Sequence, residues 1–217
     1  MTSEVSICNL ALAYLGDSAT VSSINPPEGS AQADHCARFY PIARNSLLEM
    51  HAWGFSTKRI TLALLGSGAP AWEYSYMQPS DALNIIAVLP PDAIDDYSQV
   101  APNNNTSDMS AYSPQAFSCE IDGSGNAVIL TDQEDAVLRY TSVVDDPTKF
   151  SPLFVLALSW HLAAMLAGPL IKGSEGAAEA KRCMSMMQLY LSRATQSDAS
   201  QRQITPTHTV NWLAARL

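Results

Sequence analysis

The spacing of apolar residues changes its period twice along this chain. Up to about Met50 they recur at helical intervals, and from Ile60 to Val143 they occur in short runs separated by turn-forming residues. The helical period returns at Ser151. Because a helical pattern does not serve as a strand, the chain is predicted to be α+β, with helices at both ends and strands in the middle. The first change falls within His51–Arg59, whose sequence is HAWGFSTKR.

Two helices are predicted before this change. Ser3 is a candidate N-cap for a short first helix, and Gly16 is placed to end it. Ser30 is expected to cap a longer second helix that continues to about Met50. Pro41 falls inside the second pattern and predicts a kink, because proline removes one hydrogen bond of the helical ladder.

Two further helices are predicted after the strands. Ser151 is followed by proline, a favoured first residue of a helix, and Leu153–Leu166 is apolar on almost every side, as in a helix covered all round. Gly168 and Pro169 are expected to stop or kink it. Ser174 is a candidate cap for a fourth helix from Glu175 to about Thr195. The buried stripe of the fourth helix is expected to comprise Cys183, Met186, Met187, Tyr190 and Leu191.

Six strands are predicted between the two helical regions, each bounded by Gly, Pro, Asn, Asp or Ser. Between the third and the fourth of them, Pro90–Pro114 is too long for an ordinary connection and is expected to be disordered or used for binding. The predicted strands are Ile60–Leu65, Trp72–Met77, Leu83–Leu89, Ala116–Ile121, Val128–Thr131 and Val137–Val143.

These elements predict a discontinuous helical bundle, residues 1–56 and 148–198, that carries an inserted small antiparallel β-domain, residues 57–147, and an extended C-terminal segment, residues 199–217. The two insertion points then lie close together in space. An interdomain joint is expected at Trp53, Phe55 and Arg59. Buried aromatic rings on both sides of a glycine can fix two structural units while the backbone turns between them.

Composition restricts the function more than the fold. The net charge of −9 argues against a protein that grips phosphates, since that class carries a basic surface. Charged residues make up only 15% of the chain, which suggests that part of the surface meets other subunits. Four dispersed cysteines are expected to be reduced core residues, and neither a leader peptide nor an apolar run of membrane-spanning length is expected. A cytoplasmic site of synthesis follows.

Candidate catalytic and metal-binding residues are few. Asp122–Gln133 begins like a calcium loop but lacks its glycine and its bidentate glutamate, so a hairpin turn is expected. The acidic pairs Asp95-Asp96 and Asp145-Asp146 are the residue type of a glycan hydrolase, although adjacent carboxylates in loops are usually solvated. Arg38 and Arg44 are expected on the polar side of the second helix, either solvated or paired at an interface. No cofactor or metal site is expected.

An ordered set of motifs resembles the tail adaptor proteins of short-tailed phages, also called tail tubular protein A or head-to-tail connectors. The resemblance covers roughly residues 5 to 195. The motifs are Asn9-x-Ala11-Leu12-x-x-Leu15-Gly16, Tyr40-x-x-x-Arg44-x-x-Leu47-Leu48, His51-x-Trp53-x-Phe55-x-x-x-Arg59, Trp72-x-Tyr74-x-Tyr76-x-x-Pro79-x-Asp81, Leu130-Thr131-Asp132 and Phe150-x-Pro152-Leu153-Phe154.

The resemblance implies a structural protein of the virion tail that has no enzymatic activity. Such proteins form a ring, commonly of twelve copies, which connects the portal protein to the tail nozzle protein. Genomic DNA passes through the channel of the ring without specific binding. The C-terminal segment tends to dock on the portal, a role that would fall here on Ile204–Leu217. The portal-binding residues would be Ile204, Val210, Trp212, Leu213 and Leu217.

The residues of this segment agree with a docking role. Val210, Leu213, Ala214 and Leu217 have the spacing i, i+3, i+4 and i+7 of one helical face. A helix this short is marginal alone and gains stability by docking, either on its own domain or on a partner. Two other functions stay open: a virion-associated peptidoglycan hydrolase, motivated by the acidic loops, and a solitary cytosolic bundle.

Overall fold

The computed structural model describes residues 2–67, 71–91 and 115–201 of the 217-residue chain. Within these residues, four α-helices and two antiparallel sheets confirm the α+β class. The chain folds as two compact units. The helical unit comprises the described residues of 1–56 and 143–202, and the strand unit comprises the described residues of 57–142. The second division therefore follows Ser142, whereas Pro147 was expected.

The helical unit contains α1 (Glu4–Tyr14), α2 (Ala31–Glu49), α3 (Pro152–Ile171) and α4 (Gly173–Ala199). A 3-10 turn, Pro147–Lys149, precedes α3. The predicted caps of the first three helices are confirmed, since each serine side chain accepts a hydrogen bond from a backbone N–H in the first turn. These caps are Ser3, Ser30 and Ser151.

The ends of the later helices differ from the prediction. The helix α3 runs through Gly168 and Pro169 to Ile171, so the expected stop was wrong. The helix α4 begins at Gly173 without a side-chain cap, and Ser174 lies inside it. Lys172 joins the two helices with a φ of 62° and a ψ of 169°. In this sharp corner, backbone conformation takes the place of a capping side chain.

The apolar helix α3 is the core of the helical unit, and α1, α2 and α4 all pack against it. Eleven of its twenty residues are buried. It is long and apolar enough to cross a membrane, so the expectation that no run reaches that length was wrong. However, 61% of its most apolar window is buried inside the protein. That burial is the property of a helix at the centre of a protein core.

The described part of the strand unit contains seven strands in two antiparallel sheets. One sheet has the order β1-β7-β4 and the other the order β2-β3-β6-β5. Both sheets contribute side chains to one hydrophobic core, which includes Tyr76, Ile129 and Leu138. The strands are β1 (Thr57–Thr61), β2 (Leu64–Ser67), β3 (Tyr74–Met77), β4 (Ala82–Leu89), β5 (Phe117–Ile121), β6 (Ala127–Thr131) and β7 (Val137–Ser142).

One predicted strand is two strands in the structure. Instead of a single strand from Ile60 to Leu65, the chain leaves the first sheet after Thr61 and enters the second at Leu64. The side chain of Leu62, between them, is buried in the core. Strands that turn a corner between packed sheets keep their apolar residues inward, so periodicity does not reveal the break.

Several smaller predictions can be compared with the fold. The hairpin turn is confirmed: Asp122 accepts hydrogen bonds from the backbone N–H groups of Ser124 and Asn126 between β5 and β6. Three cysteines are buried as expected, but Cys119 on β5 is exposed. In the stripe of α4, Cys183 and Met187 are buried, while the other three members are only half-buried. Nearly all of the segment Pro90–Pro114 lies outside the described residues.

Candidate functional site

The candidate site begins where α2 ends. The carbonyl groups of the last helical turn have no partner within the helix, and a buried one must be satisfied by another donor. The indole Nε1–H of Trp53 donates to the carbonyl oxygen of Leu47 at 2.9 Å. Further on, the backbone N–H of Ser56 donates to the carbonyl oxygen of Trp53 at 3.1 Å. Trp53 thus caps the helix with its side chain and organises the turn that follows.

Four rings form an aromatic cluster, Trp53, Phe55, Phe150 and Phe154, inside the helical unit. The Trp53 ring stands edge-on to Phe154 with centroids 5.0 Å apart, and Phe55 meets Phe154 at 5.2 Å. Phe150 completes the cluster at 4.9 Å from Phe154. Edge-to-face and tilted pairs at these distances each contribute about 0.5–1.5 kcal/mol beyond the burial of their area. The cluster joins the residues after α2 to the start of α3.

Asp198, near the end of α4, fixes the same segment from another side. Its two carboxylate oxygens accept a bifurcated hydrogen bond from the backbone N–H of Gly54 at 3.1 and 3.2 Å. Its Oδ2 also lies 3.1 Å from Nε2 of His51. The end of α4 is therefore bonded to the residues that lead out of α2. Sequence reasoning did not single out Asp198, because its partners are far away along the chain.

The predicted joint residues have different positions in the fold. Trp53 is completely buried, as expected, but Phe55, which was also expected to be buried, is only half-buried. The two rings lie 5.7 Å apart. Both belong to the helical unit. Arg59 lies on β1 of the strand unit, in register with Arg139 of β7.

A second anchor holds the segment that returns from the strands. Arg44 of α2 donates from Nη1 to Oδ1 of Asp145 at 2.8 Å, and its Nε donates to the side chain of Asn45 at 3.0 Å. Oε1 of Glu4 lies 4.0 Å from the same Nη1. Arg44 is only 7% exposed, so the first of the two expected alternatives, a solvated side chain, was wrong. The pairing expected in the second alternative occurs, but within the chain. A buried guanidinium requires such partners.

A groove of about 510 Å³ opens beside this anchor in the helical unit. Its wall includes the buried ring of Tyr40, whose hydroxyl has no hydrogen-bond partner within the described part of the chain. Burial raises the pKa of this hydroxyl, and the carboxylate of Glu4 raises it further. The lining residues are Glu4, Ile24, Asn25, Ala37, Tyr40, Pro41, Arg44 and Asp145.

The acidic pair Asp145-Asp146 is occupied by structural contacts. Asp145 is paired with Arg44, and Asp146 caps the 3-10 turn by accepting hydrogen bonds from the backbone N–H and the hydroxyl of Thr148. These hydrogen bonds lower the pKa of Asp146. A carboxyl group with a lowered pKa is a poor proton donor at neutral pH, the opposite of what a glycosidase acid requires. The other pair, Asp95-Asp96, lies outside the described residues.

Ser46 and His161 approach each other like a nucleophile and a base, with Oγ 3.1 Å from Nε2. The Ser46 hydroxyl also lies 3.0 Å from the carbonyl oxygen of Ala43, which competes with the imidazole for its single proton. Nδ1 of His161 is buried and has no hydrogen-bond partner among the residues that the structure describes, and burial lowers the pKa of the ring. A catalytic pair needs a third group to orient the base. This contact instead joins α2 to α3.

The last predicted site is the portal-binding set. The predicted portal-binding residues Ile204, Val210, Trp212, Leu213 and Leu217 lie outside the described residues. Within residues 2–67, 71–91 and 115–201, no group of three or more His, Cys, Asp or Glu side chains is arranged to hold a metal ion. Neither a comparison with protein-family models nor one with curated proteins finds a match to this chain.

Proposed function

We propose that this protein is a ring-forming adaptor of a short-tailed phage, which connects the portal to the tail nozzle and lines the DNA channel without enzymatic activity. The observation that carries the proposal is the ordered motif set spanning roughly residues 5 to 195. The order of elements supports it, because in the described parts of the chain two helices precede a run of seven strands and two follow it.

In this proposal the four helices form a discontinuous bundle that builds the ring wall, and the strands form an inserted β-domain. The extended segment 199–217 docks on the portal. Two anchors inside the helical unit support this arrangement. Asp198 and the aromatic cluster hold the segment that leads into the strands, and Arg44 holds Asp145 on the segment that returns. An adaptor that transmits force between two partners benefits when both connecting segments, the outgoing and the returning one, are bonded to the helical unit.

The surface of the helical unit supports an assembly of several copies. Large apolar side chains are exposed on α2, at its C-cap and on α4, where a lateral neighbour would cover them. They are Ile42, Met50, Met184 and Leu189. The net charge of −9, repeated around a ring, would repel duplex phosphates from the channel wall. DNA would then slide through without binding.

The test is attachment to a portal ring, using the portal protein encoded in the same genome and electron microscopy of the mixture. The full chain is expected to add a second ring of density to the portal. Deleting Ile204–Leu217 is expected to abolish that density while the helical circular dichroism of the truncated protein stays unchanged. Attachment of the truncated protein with normal occupancy would refute the docking role of the segment.

Two point variants sharpen this experiment within the same segment. Leu213→Asp places a charge on the predicted apolar face, so it is expected to weaken portal attachment at least tenfold. Asn211→Ala alters a residue outside the i, i+3, i+4, i+7 face and is expected to attach normally. Equal effects of the two substitutions would contradict an amphipathic docking helix. Failure of the full chain to bind the portal at all would refute the adaptor function itself.

A further inference from the structure

Two cysteines are neighbours in the core of the helical unit. Cys8 lies on α1 and Cys36 on α2, and both are 0% exposed. Their thiols are hydrogen-bonded to each other, so the two sulfur atoms are in direct contact. Such a contact adds little to stability, because a thiol is a weak donor and a weak acceptor. Two thiols in contact can, however, be oxidised to a disulfide.

Hydrogen bonds of the linker between α1 and α2 hold the two cysteines in this arrangement. The side chain of Asn9, next to Cys8, accepts from the backbone N–H of Val21 at 2.7 Å and donates to its carbonyl oxygen at 2.9 Å. The side-chain amide of Gln32, in the first turn of α2, donates to Asp17 at 3.2 Å. The linker is therefore bonded to both helices, which keeps α1 beside α2.

We propose that Cys8 and Cys36 form a disulfide bond when the protein meets a small-molecule disulfide in an oxidising solution. The thiolate of one cysteine attacks the small disulfide, which leaves a mixed disulfide on the protein and releases one thiol. The second cysteine then displaces the other half of the small molecule as a second thiol. In total the two cysteines lose two protons and two electrons, and the small disulfide is reduced to two thiols.

The burial of both sulfur atoms makes the first step depend on local opening. A helix of eleven residues, such as α1, is marginal by itself, and elements of this kind open while the rest of a protein stays folded. When α1 returns to its place, it brings the second thiol against the mixed disulfide. The inference does not depend on the adaptor function, because it requires only an oxidising solution. An adaptor would meet such a solution when the virion leaves the reducing cytoplasm of its host.

The experiment uses the full-length Cys119→Ser protein, because the thiol of Cys119 is exposed and would react by itself. The protein is incubated with 2-hydroxyethyl disulfide, and its intact mass and peptide map are measured. A loss of two hydrogen atoms, located in a pair of peptides that joins Cys8 to Cys36, is expected. The thermal midpoint of the oxidised protein should lie roughly 5–10 °C above that of the reduced protein, because the closed loop restricts the unfolded chain.

Two variants in the same background provide the controls. Cys36→Ser is expected to form no disulfide and to gain no thermal stability from the oxidant. Cys183→Ser removes a buried cysteine of α4 and should form the bond between Cys8 and Cys36 as fully as its parent.

The incubation is repeated in guanidinium just below the unfolding midpoint, which promotes the opening of α1 and gives the oxidant access to both sulfur atoms. The inference is overturned if every thiol stays free in both solutions, or if the reaction stops at a mixed disulfide. A bond between other cysteines, or an oxidised protein that melts below the reduced one, would also overturn it.

Discussion

Replacing Trp53 with alanine should destabilise the helical unit more than any ordinary surface change. The ring is completely buried, and it contacts Phe154 edge-on at 5.0 Å. Deleting a buried Trp or Phe side chain typically costs about 3–5 kcal/mol. The indole hydrogen bond to Leu47 is lost as well, at about 1 kcal/mol. Since a whole domain is stable by only about 5–15 kcal/mol, most of the stability of this unit should disappear.

The assay is guanidinium unfolding followed by the helical circular dichroism signal. Trp53→Phe keeps one aromatic ring in the cluster but leaves the Leu47 carbonyl unpaired and a cavity in place of the second indole ring, so a loss of about 1–3 kcal/mol, smaller than for alanine, is expected. The control is Trp72→Ala, which removes a half-buried tryptophan from the strand unit and should leave the helical transition in place. A loss below about 1 kcal/mol for Trp53→Ala would refute the claim that this residue organises the end of α2.

Three further predictions concern other parts of the chain. Lys172 has a φ of 62° and a ψ of 169°, a conformation that costs a non-glycine residue about 1–3 kcal/mol. Lys172→Gly should therefore raise the free energy of unfolding by about 1 kcal/mol, whereas Lys172→Ala should not. Burial, together with a hydrogen bond to Asp81, raises the pKa of Tyr140 from 10 to about 12. The neutral phenol therefore stabilises the fold fully below pH 10, and this stabilisation is lost as the pH rises towards 12. Hydrogen exchange along the β1–β7 ladder should show this alkaline loss in the wild type and not in Tyr140→Phe. A zymogram on bacterial cell walls should show no lysis; clear lysis that an Asp95→Ala or Asp146→Ala variant abolishes would establish the hydrolase instead.

Helix beginnings could be predicted from this sequence because their chemistry is local. A serine oxygen reaches an N–H three residues later, so Ser3 and Ser30 reveal themselves without knowledge of the fold. Helix ends depend more on packing. The helix α3 continues through Gly168 and Pro169, two poor helix formers that follow a long run of buried residues ending at Ala167. The start of α4 could not be predicted, because no side chain caps it and the backbone turns sharply at Lys172.

The candidate site divides along the same line. Trp53 follows a helical stripe, so its burial could be predicted from the pattern, whereas Phe55, two residues later, is only half-buried. The role of Asp198 could not be predicted, because its partner Gly54 is 144 residues away along the sequence. The burial of Arg44 could not be predicted either, because it depends on the counter-charge of Asp145, which is distant in the sequence. A single sequence carries no record of which distant charges meet.

The contacts of Asp198 bear on how an adaptor could work. This residue lies in the last turn of α4, which ends at Ala199, directly before the segment proposed to dock on the portal. Its carboxylate accepts from the backbone N–H of Gly54, and hydrogen bonds to a charged group are worth about 1.5–3 kcal/mol. Tension on the C-terminal segment would therefore reach residues 51–54 directly, and through Trp53 it would reach the aromatic cluster. On the adaptor proposal, portal docking and the outgoing connector of the strand unit share one mechanical path, and Asp198 is the residue where that path begins.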